Sequence, residues 1–221
     1  MLSLTLPVVI AAASLASSGD PAPRAITFAQ LDLSFFLTSV GPGDGANLGG
    51  LEGADKHCAM LAESAGIRGK TWRAYLSQQA VGGRPAVHAR DRIGQGPWKT
   101  AKGVVVATSV DDLHSENNKL SKENSLTEKG AVVNGRGDTP NTHDVLTGST
   151  LDGRVQPGTD DSTCSNWTSN AETGSASVGH HDRQGGGANP TSWNFAHASR
   201  GCGQKNLQAT GGNGLFYCFA I

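Results

Sequence analysis

The residues of this chain best suited to chemistry are histidines and aspartates set among glycines. Three stretches hold them: "NGRGDTPNTHD" (134–144), "VGHHDR" (178–183) and "TSWNFAHAS" (191–199). Imidazole and carboxylate are ligands for zinc and other transition metals, so His180, His181 and Asp182, with His143, Asp144 and His197 elsewhere, offer the right atoms. Adjacent strand residues point to opposite faces, however, so His180 and His181 cannot both reach one ion from a regular strand. The reading adopted is of polar, loop-side histidines satisfied by hydrogen bonds, with no metal and no cofactor assigned. The same loops mix Asn, Asp, His and Trp, which suits a sugar or peptide site: an aromatic face for stacking and amides for directional hydrogen bonds. Asp138, Asn141, His143, Asp144, His181, Asp182, Trp193 and Asn194 are therefore the candidate ligand-binding residues. Trp167, three residues after Cys164, is read as core.

Enzyme signatures are absent from the sequence. There is no G-x-S-x-G elbow and no H-E-x-x-H helix, and abundance of Ser, His and Asp is no evidence for a triad. No catalytic residue is assigned, and the chain reads as a non-enzymatic binding module, with a metal-dependent hydrolase using the His and Asp loops as an alternative. Three short matches carry little. "RGKT" (Arg68 to Thr71) lacks the leading glycine of a phosphate loop and precedes a strand; "RGD" (Arg136 to Asp138) reads as a turn around Gly137; Asn166 in "NWT" is a glycosylation sequon only in a eukaryotic host.

The frame that must position these residues starts with export. Residues 1–25 open with an apolar stretch of signal-peptide length, running into small residues at Ser14 and Ala16, although no Lys or Arg precedes it. They are read as a signal peptide and short linker, with residues 26–221 as one domain in a secreted or periplasmic protein. In an oxidising compartment the four cysteines, Cys58, Cys164, Cys202 and Cys218, read as two disulfides, for which arithmetic alone allows three pairings. Eighteen Lys plus Arg against 19 Asp plus Glu, without a basic run, disfavours nucleic acid. No stretch of the expected domain is long and apolar enough to span a bilayer.

Periodicity gives an α+β outline. Residues 31–40 alternate with Leu31, Leu33, Phe35 and Leu37 on one side, a strand pattern. Residues 51–66 place Leu51, Ala54, Cys58, Leu61 and Ala65 on one helical face, so Cys58 faces the core. "TWRAYLS" (71–77) and "KGVVVATS" (102–109) read as strands. A short helix follows, with Ser109 as N-cap and Asp111 and Asp112 in its first turn. A hairpin turn at Lys129 and Gly130, then strands at "HDVLTGST" (143–150) and Ala176 to His181, complete the middle. "GLFYCFAI" (214–221) is apolar on both faces and closes the chain as a buried strand. A core-facing cysteine on the first helix and a buried one on the last strand are placed to pair, which leaves Cys164 and Cys202 nested between them.

The stretch "GLEGADKHCAMLAESAGIRGKTWRAYLS", with "TGSTLDGR", "TCSNWTS" and "LFYCFAI" in the same order, resembles the endostatin branch of the C-type lectin-like fold over residues 33–221. "ARDRIGQGPW", "NGRGDTPNTHD" and "VGHHDR" are similar to segments of secreted bacterial lectin-like proteins. The resemblance implies two short helices, small antiparallel sheets, long loops, and the nested bridges Cys58 to Cys218 and Cys164 to Cys202. It also implies an extracellular glycan or protein ligand, with carbohydrate binding the leading expectation. The sequence departs from the calcium-dependent members: "TPN" (139–141) lacks the first acidic ligand, and "WNF" places Phe195 where the second carboxylate belongs. Binding is therefore expected to be independent of calcium. Endostatin's own zinc ligands lie near its mature N-terminus, where this chain has no histidine.

Overall fold

The closing apolar run forms the spine of the molecule. In the computed structural model, which describes residues 32–221, β8 (Gly212–Ala220) is the longest strand. The expected export segment, and Leu31 of the first strand, lie outside the described residues. The fold is α+β, with one 15-residue helix, α1 (Gly50–Ser64), short helical turns, small sheets and two disulfides. No helix among the described residues is long and apolar enough to cross a membrane.

β1 (Phe35–Leu37) and β2 (Trp72–Ala74) both pair antiparallel with the second half of β8. β5 (Asp144–Leu146) pairs with its first half, and that pairing is parallel, not antiparallel as expected. A parallel pair needs a long crossover; here the chain from β5 to β8 supplies it, passing through β6 (Ser177–His180) and β7 (His197–Ala198). The sheet order is β1-β8-β5-β6-β7, and β3 (Trp98–Lys99) with β4 (Val105–Ala107) forms a separate ribbon.

β8 is apolar on both faces because both are covered. Phe216 and Cys218 pack towards α1 with Leu61, Trp72 and Trp167. Leu215, Tyr217 and Phe219 pack on the other side with Phe35, Tyr75, Trp98 and Trp193. Each large side chain so buried contributes about 1.5–3 kcal/mol. β1 departs from its expected one-sided pattern for the same reason: Phe36 is buried too, edge-on to Trp72 with ring centroids 4.8 Å apart.

α1 turns Ala54, Cys58 and Leu61 inward, as its period predicts, and keeps the Lys56 to Glu52 ion pair outside. Asp55 on its inner side accepts from the Ala74 amide and pairs with Arg92 at 2.8 Å and Arg73 at 2.7 Å, locking α1 to β2. The Cys58–Cys218 bridge joins α1 to β8, and Cys164–Cys202 nests inside it.

The second expected helix shrinks to one turn, α2 (Val110–Leu113), capped by Ser109, whose hydroxyl accepts from the Asp112 amide. α3 (Cys164–Trp167) and α4 (Gln204–Gln208) lack a readable period. All four residues of α3 have positive φ, between 49° and 67°, a left-handed turn that costs about 1–2 kcal/mol per residue. It is held by the disulfide, by Asp161 accepting from the Ser165 amide, and by Trp167 Nε1 donating to the Ser77 carbonyl at 2.7 Å. The Asn166 amide is committed to the Gln79 backbone through both its atoms.

Candidate metal centre

Three neighbouring strands bring one carboxylate and two imidazoles to a single face. Asp144, first residue of β5, stands directly opposite His180, last residue of β6, and cross-strand partners share a face. His197, first residue of β7, stands opposite Val178, two residues before His180. The two-residue strand period puts Val178, His180 and His197 on the same side as Asp144. His143 precedes β5 and curls back to the same point.

The result is a convergence on one oxygen. Nε2 of His143, His180 and His197 lie 3.2, 3.3 and 3.4 Å from Asp144 Oδ1. The ligand atoms of His143, Asp144 and His180 all lie within 4.8 Å of one another, and the His143 and His180 rings stack with centroids 4.3 Å apart. These three residues are buried, whereas the His197 side chain is 23% exposed.

Each imidazole is oriented by its other nitrogen. His180 Nδ1 donates to the Pro190 carbonyl at 2.8 Å, His197 Nδ1 to the Ala198 carbonyl at 3.1 Å, and His143 Nδ1 to Asp182 Oδ1 at 3.4 Å. A carbonyl or carboxylate oxygen only accepts, so Nδ1 carries the proton in all three rings. In neutral rings, Nε2 then presents a lone pair to an oxygen that also presents lone pairs. Neither Asp144 oxygen nor His180 Nε2 has a hydrogen-bond partner among the described residues, although all are buried. Burial works against ionised Asp144, but the hydrogen bonds that His180 and His197 donate when Nε2 is protonated outweigh it and hold its carboxyl down at about 2. The Asp144 carboxylate in turn raises His197, against the effect of burial.

Glycines make room for the rings. Gly185 has φ +154°, and a Cβ there would lie 2.2 Å from His180 Cε1; Gly211 has φ +97°, and its Cβ would lie 3.0 Å from His143 Cδ2. An open cleft of about 510 Å³ leads to the cluster, lined by Arg136, Asn141, His143, His180, His197 and Arg200 among others.

Of the residues singled out from sequence, His143 and Asp144 are in the cluster. Asp182 supports it, accepting from His143 and from the Arg136 and Gln184 amides. Burial opposes ionisation of Asp182, yet those donors hold its carboxyl well below the usual range. Asn141 lines the cleft, its Oδ1 accepting from the His143 amide. His181 faces the other way, Nε2 donating to the Asn134 carbonyl, and burial lowers its pKa. Asp138 accepts from the Gly135 amide and pairs with Lys122 at 2.5 Å.

Two expectations are corrected. Trp193, taken as an exposed stacking face, is 3% exposed and packs on Tyr75 and Tyr217 at centroid distances of 4.8 and 5.4 Å. Asn194 is buried beside it and donates to Tyr75 Oη and to the Thr150 and Leu151 carbonyls. Both are interior residues because the loop carrying them folds over the β8 face. His180 and His197, weighed from sequence as metal ligands but not among the ligand-binding residues, face Asp144, whereas His181 does not. The parity of "SVGHH", with Val178 and His180 on one side, was the available signal. No protein-family model matches this chain, and no curated protein gives a significant match.

Proposed function

We propose that this chain is a secreted or periplasmic metal-dependent binding module, holding one divalent transition metal, zinc by its ligand chemistry, at the base of the cleft. The observation that carries this reading is the acceptor-to-acceptor convergence of three Nε2 atoms on Asp144 Oδ1. Two lone pairs facing each other in a buried site repel, and three imidazolium ions in their place would repel one another. A cation between them removes the conflict. For metal-to-ligand bonds of about 2.0–2.1 Å, the edge of a tetrahedron is about 3.3–3.4 Å, which matches the spacing of the imidazoles from the carboxylate oxygen. Imidazoles and a carboxylate, each imidazole oriented through Nδ1, suit zinc better than calcium, which takes oxygen ligands.

Binding is favoured over hydrolysis. His143, Asp144 and His180 hold the ion and leave a position towards the cleft for a ligand, and no carboxylate among the described residues lining the cleft is free to act as a general base. The frame is proposed to be C-type lectin-like, as the segment order implies, with an extracellular glycan or protein as ligand. Its ligand site is then the histidine cleft and not the buried Trp193 and Asn194.

The test is elemental analysis of the purified protein after equilibration with zinc and removal of excess. About one zinc per chain is expected for the wild type, and none for a His143→Ala, His180→Ala double variant. Equal metal content in the two proteins would sink the reading.

A further inference from the structure

We infer that the ligand taken by this cleft carries a tetrahedral oxyanion, a phosphate or sulfate ester, held jointly by the metal and by Arg136 and Arg200. The inference rests on the metal reading above and names what that site selects. Arg136 and Arg200 line the same cleft as His143, His180 and His197. Among the described residues neither makes an ion pair or a side-chain hydrogen bond, although most other arginines of the chain do. Among the described residues, no Asp or Glu lines the cleft to neutralise them.

Both arginines are rooted in rigid parts of the site. The Arg136 amide donates to Asp182 Oδ2 at 2.5 Å, while Oδ1 of the same carboxylate accepts from His143 Nδ1, so one side chain sets the position of a metal ligand and of an arginine backbone. Arg200 follows Ser199, whose hydroxyl accepts from the Ala176 amide and donates to the Gly201 carbonyl; Cys202 is tied down two residues beyond. Free guanidinium groups on a fixed backbone recognise planar-paired or tetrahedral oxygens through charge-assisted bonds. Asn141, also lining the cleft, offers a neutral amide that can donate to a further oxygen. A neutral sugar would leave two positive charges unanswered beside a divalent ion, whereas an oxyanion ester offsets part of that charge.

The experiment uses zinc-loaded full-length protein and titrates it calorimetrically with inorganic phosphate, inorganic sulfate and acetate, with zinc content measured on every sample. Phosphate or sulfate is expected to bind at least about tenfold more tightly than acetate, and Arg136→Gln and Arg200→Gln each to weaken that binding about tenfold or more while keeping the zinc. Whichever of phosphate and sulfate binds more tightly identifies the ester. Zinc-loaded wild type that prefers neither anion over acetate, or binding indifferent to both arginine variants, would overturn the oxyanion inference and leave the metal centre standing. Wild type that takes up no zinc would overturn the metal reading and this one with it.

Discussion

His180 and Asp144 stand directly opposite each other across β6 and β5, and Nε2 of the one faces Oδ1 of the other at 3.3 Å with no hydrogen bond joining them. Register alone creates this meeting. A shift of one residue in the β5–β6 pairing would place His181 opposite Asp144 and turn His180 away, so the site depends on a strand alignment that the apolar faces of Val145, Leu146 and Val178 fix.

The first prediction follows from that parity. His180→Ala should weaken zinc binding at least about a hundredfold, since it removes a buried ligand, while His181→Ala should leave affinity within a few fold. Competition against a chromophoric chelator measures both. Equal losses in the two variants would show that neighbouring strand positions do not divide the roles.

How much of this was legible in the sequence depends on the length of the element concerned. α1 repeats its period over four turns, and β8 is apolar at nearly every position, so both were readable, along with the bridge that joins them. The cluster was not readable in the same way. His197 sits in a two-residue strand with no period of its own, and its approach to Asp144 is set by two successive strand pairings. Trp193 misled because glycine, serine and asparagine surround it in sequence. Its burial comes from Tyr75 and Tyr217, which are distant in the chain.

Asp182 holds His143 without belonging to the proposed ligand set. Asp182→Asn keeps the shape and removes the charge, so zinc affinity should fall about 10- to 100-fold with about one zinc still bound at saturation. The unfolding midpoint of the metal-free protein separates this role from a purely structural one. A drop in metal-free stability with unchanged zinc affinity would assign Asp182 to the loop and not to the metal.

The chain has two tyrosines, Tyr75 and Tyr217, both fully buried. Burial pushes Tyr75 well above its ordinary 10.0, outweighing its hydrogen bond from Asn194, and raises Tyr217 well above the usual range. The folded state therefore keeps both phenols protonated where the unfolded chain ionises them. Stability should be full below pH 10.0 and decline as pH rises above it. Tyrosinate absorbance followed with far-ultraviolet circular dichroism should show ionisation only as the protein unfolds. A reversible tyrosinate signal near pH 10.0 in folded protein would contradict this burial.

The two bridges close loops of different size, with separations of 160 and 38 residues. In the chain-entropy model the outer bridge contributes about 5 kcal/mol and the inner about 4 kcal/mol. The Cys58→Ala, Cys218→Ala pair also empties a site between α1 and β8, which adds a packing loss. Urea unfolding should therefore rank that double variant below the Cys164→Ala, Cys202→Ala one. The reverse order would indicate that the left-handed turn at Cys164 depends on its bridge more than the terminal strand depends on Cys58.

Trp193 discriminates between a stacking surface and a core. Its ring fills space between Tyr75 and Tyr217, and its carbonyl accepts from Tyr217 Oη at 3.1 Å, so Trp193→Ala should lower stability by about 3–5 kcal/mol. Trp193→Phe keeps an aromatic ring in the same space and should recover a large part of that loss, because the backbone carbonyl and its hydrogen bond survive. Neither substitution touches Asp144 or the three histidines around it. The Phe variant, where the protein stays folded, should hold as much zinc and bind phosphate or sulfate within a few fold of the wild type. Unfolding curves, zinc content and calorimetric titration on the same preparation give the three quantities. If Trp193→Ala left stability unchanged and abolished ligand binding with zinc still in place, the ring would be a contact for the ligand and the cleft at the histidines would not be the binding surface.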